Sequence, residues 1–143
     1  MLMQSGNVAE FDVARDRIVF TMQGVSAPAD LHVIAGNAAP RRLTDINASR
    51  LVDVRFGEAA QFSFTGAGGD KVFGYAVKPW NWQPGKKYPV AFIVHGGPQS
   101  SFANTWSYRW NPQVYSGAGY GVVFIDFHGS TGYGQKFTDA ISQ

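Results

Sequence analysis

Two uninterrupted apolar runs, Pro89-Val-Ala-Phe-Ile-Val94 and Val122-Val-Phe-Ile125, the second ending at Asp126, constrain this chain more than any other feature. A strand with one wet face alternates apolar and polar residues, whereas a continuous run of β-branched and aromatic residues suits a strand covered on both faces, as inside α/β sheets. Between the runs, Asn111-Pro112 has the form of a helix start, a capping side chain followed by proline at the first helical position, and Gly117 and Gly119 supply the stop. Strand, helix, strand predicts a βαβ unit with a right-handed crossover. Gly117-Ala-Gly119-Tyr-Gly121 precedes the second strand instead of following one, so it is a helix stop and not a nucleotide loop.

The first third has a different period. From Val8 to about Thr44, Phe11 and Val13, then Ile18 and Phe20, then Leu31 and Val33 recur at every second residue. Turns at Ala14-Arg15-Asp16, Gly24 to Pro28 and Gly36 to Pro40 divide this stretch into about four short antiparallel strands, the size of one propeller blade. One blade cannot bury both of its faces, so it needs a neighbouring layer. From Leu51 onward, Gln61-Phe-Ser-Phe-Thr65, a Gly66 to Asp70 turn and Val72 to Val77 form a β-hairpin that leads into the apolar runs. The expected division is therefore residues 1–50 and residues 51–143.

Composition sets outer limits. Charged residues make up 15% of the 143, against a usual share of about a quarter, while 45% are hydrophobic, which excludes intrinsic disorder and leaves the chain short of polar surface. There is no Cys, hence no disulfide, thiolate metal site or cysteine nucleophile. A net charge of +2, with the 12 basic residues adjacent only in the pairs Arg41-Arg42 and Lys86-Lys87 and forming no continuous stripe, argues against nucleic-acid binding. The start, MLMQSGNVAE, has neither the basic nor the apolar region of a leader, and no apolar run approaches the length of a membrane span. Compartment stays open between cytoplasm and periplasm.

Chemistry is expected at His95-Gly96-Gly97-Pro98, directly after the first apolar run and hence at the carboxyl edge of a parallel sheet, where ligands bind. Glycines there let backbone N–H groups approach an oxyanion, so a tight turn and an oxyanion loop are both open readings of the motif by itself. No G-x-S-x-G nucleophile elbow is present. His128-Gly-Ser-Thr-Gly132 comes nearest, but His replaces the first glycine and no clear helix follows, so Ser130 is not expected to be a nucleophile. Asp126 is taken as a satisfied structural carboxylate. His32, His95 and His128 are too far apart in sequence to suggest a metal site, no cofactor is expected, and His32 reads as a core residue. Trp106, Tyr108, Trp110, Tyr115 and Tyr120 are expected in packing or at an interface, since no basic stripe accompanies them.

Lys86 to Ile141, with HGGP and GSTGYG (Gly129 to Gly134), resembles the start of the catalytic domain of the prolyl oligopeptidase family of serine peptidases. LTDIN (Leu43 to Asn47) and FSFTGAGGDKVFGYAVKP (Phe62 to Pro79) resemble the end of that family's β-propeller and the first hairpin of its α/β-hydrolase domain. The motifs point most to the bacterial dipeptidyl aminopeptidase and acylaminoacyl-peptidase branches. The implied fold is α/β and β-rich, a last propeller blade followed by the hairpin and first βαβ unit of a hydrolase sheet. The implied activity is hydrolysis of short peptides through an acyl-enzyme, with the catalytic Ser, Asp and His expected beyond Gln143 and this chain inactive alone. By the same resemblance Gly97, within the loop His95-Gly96-Gly97, gives its N–H to the oxyanion; several members carry Tyr where His95 stands, and His95 lacks that hydroxyl. The implied partners are peptide substrates and either the remainder of a peptidase or a second copy. The alternative is a non-catalytic peptide- or protein-binding module derived from a hydrolase fold.

Overall fold

The computed structural model describes residues 6–141; the first half of the stretch weighed for a leader lies outside them. The chain divides into two compact units. One runs to Arg55 and takes in Asn104–Asn111; the other holds Phe56–Ala103 and the residues from Pro112 on.

The first unit is a four-stranded antiparallel meander in the order β1 (Asn7–Ala14), β2 (Arg17–Gly24), β3 (Ala27–Ala35) and β4 (Arg41–Arg42), with a one-turn helix α1 (Ala48–Leu51) after it. Four strands were expected. The second turn is shorter than the sequence suggested, because β3 begins at Ala27 and only Val25 and Ser26 lie outside the strands. A shift of register between Met22 and Gly24 accompanies this, and such a bulge accommodates Pro28, which has no N–H for the ladder. Phe20, Val33 and Ile34 are buried, while Phe11 on the edge strand β1 is 71% exposed.

The second unit is a mixed sheet in the order β5 (Ala59–Thr65), β6 (Lys71–Val77), β8 (Gly121–Asp126) and β7 (Val90–Ile93), with α2 (Pro112–Gly117) between β7 and β8 and α3 (Gln135–Asp139) after them. β5 and β6 form the expected hairpin, in register from Thr65 opposite Lys71 to Ala59 opposite Val77. β7 and β8 are parallel, as the βαβ pattern requires. α2 starts at Pro112 and closes with the N–H groups of Gly119 and Tyr120 returning to the carbonyls of Ser116 and Tyr115.

Register explains where the core lies. Val77 stands opposite Val122, Tyr75 opposite Phe124 and Phe73 opposite Asp126, so these six side chains share one face. Val77 and Val122 are almost completely buried, a contribution of about 1.5–3 kcal/mol for each such side chain. Ala91 and Ile93 of β7 align with Val122 and Phe124 on the same face. The expectation that Pro89–Val94 is covered on both faces is not met: Val90, Phe92 and Val94 are 63%, 57% and 59% exposed. β7 ends the sheet, and among the described residues no layer covers its second face. β8 likewise buries Val122, Phe124 and Asp126 while Val123 and Ile125 are only half-buried. No helix among the described residues is long and apolar enough to cross a membrane.

Candidate functional site

Because β7 and β8 run parallel, the segments that follow them emerge at the same edge of the sheet. His95-Gly96-Gly97-Pro98 follows β7, and Phe127 to Gly134 follows β8. The structure joins these two loops through buried polar contacts.

His95 is 9% exposed, its ring stacked on Phe127 at 4.4 Å and edge-on to Phe102 at 5.5 Å. Its Nδ1 faces the Gly96 carbonyl at 3.1 Å and its Nε2 faces Ser130 Oγ at 2.9 Å. A carbonyl can only accept, so Nδ1 is the donor of that pair, and in a singly protonated ring Nε2 then accepts from the Ser130 hydroxyl. Ser130 is fully buried, and its carbonyl accepts from Thr138 Oγ1 at 3.1 Å.

Asp126, at the end of β8 and 4% exposed, collects three donors. The Phe102 N–H reaches Oδ1 at 3.0 Å, and the hydroxyls of Ser101 and Tyr133 reach Oδ2 at 2.7 and 2.6 Å. Two of these donors come shortly after the HGGP motif and the third lies in the loop after β8, so one carboxylate ties both segments to the sheet. Burial, and then the hydrogen bond and charge of Asp126, push the Tyr133 phenol above its ordinary value of 10.0. Tyr75 is shifted the same way, by burial and by the Asp126 charge. Both phenols therefore stay neutral through the physiological range.

Ser130, His95 and Asp126 lack the order of a hydrolytic triad. In a triad the serine meets one ring nitrogen and the acid the other; here Asp126 Oδ1 lies 3.6 Å from the same Nε2 that Ser130 occupies. A fully buried Ser130 hydroxyl also offers no path to a substrate. The sequence ground against Ser130 needs correction, since α3 does follow it; burial and the wrong nitrogen carry the argument instead.

Gly97 has φ +135°, and a Cβ placed there would stand 3.0 Å from the Gln99 nitrogen and 3.2 Å from Ser100 Cβ. Only glycine fits that turn without strain. Among the described residues no hydrogen bond uses the N–H of Gly96 or Gly97.

The remaining candidates fall elsewhere. His32 is buried, stacked on Phe20 at 5.6 Å, with Nδ1 3.1 Å from the Asp30 carbonyl. His128 lies 3.0 Å from Asp70 Oδ2 and ties the loop after β8 to the turn of the β5–β6 hairpin. Of the aromatic residues, Trp106, Tyr108 and Trp110 belong to the first unit and Tyr115 and Tyr120 to the second; Tyr108 is 86% exposed. The first unit also has a cavity of about 530 Å³ whose lining includes Met22, Pro28, Asp30, His32, Arg42 and Leu51. Asp30 there is already satisfied by Arg42, by Thr44 Oγ1 at 2.8 Å and by the Ile46 N–H at 3.0 Å. At the HGGP loop, by contrast, the Gly96 and Gly97 N–H groups take part in no hydrogen bond among the described residues. Sequence reasoning did not single out Ser101 or Tyr133, because their role depends on three segments folding together.

Residues 106–143 match the model of the Prolyl oligopeptidase family. Dipeptidyl-peptidase 5 of Schizosaccharomyces pombe is 51% identical over 79 residues, covering 55% of this chain and 12% of the yeast protein. Over these residues the chain is similar to the prolyl oligopeptidase family. The structure of the Pyrococcus horikoshii acylaminoacyl peptidase superposes on 97% of the chain with a TM-score of 0.83 and 27% identity, and 22% of that protein is covered. A structure of an acylaminoacyl peptidase in complex with Z-Gly-Gly-Phe-chloromethyl ketone covers 94% of the chain, and 21% of that protein is matched, with a TM-score of 0.81 and 28% identity. Against all three the chain spans less than a quarter of the relative's length.

Proposed function

We propose that this chain supplies the oxyanion side of a serine peptidase that releases dipeptides or acylated amino acids from short peptides. In this reading residues 1–50 are the end of a β-propeller and residues 51–143 the first part of an α/β-hydrolase domain, with the nucleophile, acid and base on other residues of the same enzyme. The observation that carries it is the Gly97 N–H, uncommitted in a turn only glycine can adopt, at the carboxyl edge of two parallel strands. A peptide carbonyl attacked by a serine develops negative charge on oxygen, and a fixed N–H aimed at that oxygen lowers the barrier. Loss of one such donor costs about 2.7–4 kcal/mol in comparable hydrolases. His95 lacks the hydroxyl that a Tyr would offer at its position, so the main-chain donor carries the role. The relatives' names, dipeptidyl-peptidase 5 and acylaminoacyl peptidase, support the substrate class.

A fluorophosphonate probe, which bonds only to an activated serine, tests the reading. Intact-mass analysis is expected to find no adduct on the 143-residue chain and one adduct on the full-length enzyme, mapped outside these residues. An adduct on Ser130 would overturn it. Full-length enzyme that stays unlabelled and releases neither dipeptides nor acylated amino acids would favour the binding-module alternative.

A further inference from the structure

We infer that Ser130 is a positioning residue that aims the Gly97 N–H through His95. The relay has three links. The Ser130 hydroxyl donates to His95 Nε2 at 2.9 Å, which leaves the proton of the neutral ring on Nδ1. Nδ1–H holds the Gly96 carbonyl at 3.1 Å. That carbonyl and the Gly97 N–H belong to one peptide group, which is planar and, since the only cis bond among the described residues is Gly97–Pro98, trans. In a trans peptide the N–H points opposite to the C=O, so holding the Gly96 oxygen from one side sets the direction of the Gly97 N–H on the other.

The surroundings make the relay rigid. The His95 ring is clamped between Phe127 and Phe102, so it cannot turn freely to offer Nδ1 elsewhere. Ser130 is fixed by its own N–H to the Phe127 carbonyl at 2.9 Å, and the neighbouring Thr131 N–H reaches the Ser100 carbonyl at 2.9 Å. Gly97 has no side chain of its own to fix the turn, so a contact on the preceding carbonyl helps to restrict it. The sequence contains the two ends of this relay 35 residues apart and gives no sign that they meet.

The inference rests on the oxyanion reading for its effect on rate, but its structural core can be measured separately. In full-length enzyme labelled with ring-¹⁵N histidine, His95 at neutral pH is expected to carry its proton on Nδ1, with Nε2 unprotonated. Ser130→Ala is expected to remove that preference, move the Gly97 amide resonance and lower kcat by about 10-fold with little change in KM, a part of the 10²–10³ lost when an oxyanion donor is deleted outright. Ser130→Cys, which keeps a weak donor in nearly the same volume, is expected to recover part of both effects. A proton on Nε2 in the unmodified enzyme would overturn the relay without any variant having to fold. So would an unmoved Gly97 amide in Ser130→Ala. A shifted Gly97 amide with unchanged kcat would uphold the relay and overturn the oxyanion role of Gly97.

Discussion

The hydroxyl of Ser130 meets Nε2 of His95 at 2.9 Å, with both side chains buried. This contact bolts the HGGP loop to the loop after β8, and the Asp126 carboxylate beside it fastens Ser101 and Phe102 from the first segment and Tyr133 from the second. A serine, a histidine and an aspartate thus lie together in a hydrolase-like fold for a structural purpose. The distinction rests on which ring nitrogen each partner uses and on the absence of any solvent path to the serine.

Asp126 is expected to be the most sensitive polar residue of this edge. Asp126→Ala leaves the Phe102 N–H and the Ser101 and Tyr133 hydroxyls without their acceptor, at a cost of about 3 kcal/mol. Tyr133→Phe keeps the ring stacked on Phe73 and removes one donor, for about 1.5 kcal/mol. Urea denaturation of both variants measures the difference; equal losses would mean that Tyr133 alone accounts for the role of Asp126.

Acid should weaken the first unit through Asp30. Burial raises the pKa of this carboxyl, but the Ile46 N–H, the Thr44 hydroxyl and Arg42 outweigh that and hold it below the ordinary 3.8. The folded state therefore binds this proton less readily than the unfolded chain, so the contribution is present above the unfolded value and lost as pH falls through the depressed folded one. Tyr133 has the opposite sign: its raised value stabilises the fold below the ordinary 10.0, and that part is lost as pH climbs toward the folded value. Unfolding curves across pH should show a shallower acid limb in Asp30→Asn and a shallower alkaline limb in Tyr133→Phe.

Gly57 should not tolerate a methyl group. Gln113 pairs with both of its backbone groups, at 2.9 and 3.0 Å, and a Cβ there would lie 1.9 Å from the Lys78 carbonyl oxygen and 2.3 Å from Ser116 Oγ. Gly57→Ala is expected to cost about 3 kcal/mol or more, because backbone must move to relieve the clash. A thermal melt within a few degrees of the parent would refute this.

The uncovered face of β7 should be adhesive. Val90 and Phe92 are exposed on a strand that ends its sheet, with exposed Val94 directly after it, an arrangement that invites pairing with another chain. The 143-residue chain alone is expected to self-associate and to bind a hydrophobic dye, and Phe92→Lys to reduce both. Size-exclusion chromatography across a dilution series, with dye fluorescence beside it, decides the matter; a monomer stable to dilution with no dye signal would contradict it.

Much of the fold was legible in local signals. The two-residue period of Ile18 and Phe20, the turn at Gly66 to Asp70 and the Asn111-Pro112 start each act over a few residues, and the strands and α2 lie where they indicate. The continuous run Pro89–Val94 misled on burial, because apolar composition states what a strand can bury and not whether a covering layer is present. The helix after Ser130 was missed because it spans only Gln135–Asp139 and starts at Gly134 without a capping side chain.

The sequence by itself determined the strand and turn pattern, the place of HGGP after a strand, and the resemblance to the prolyl oligopeptidase family, since these depend on residue order and short-range periodicity. Tertiary structure alone decided that Ser130 holds His95, that Asp126 gathers Ser101, Phe102 and Tyr133, and that Asp30 gathers Arg42, Thr44 and Ile46. Each of these contacts exists because a buried polar atom must find a partner once water is removed, and which partner is in reach is fixed only when the parallel pairing of β7 with β8 and the path of the loops bring distant segments to one edge.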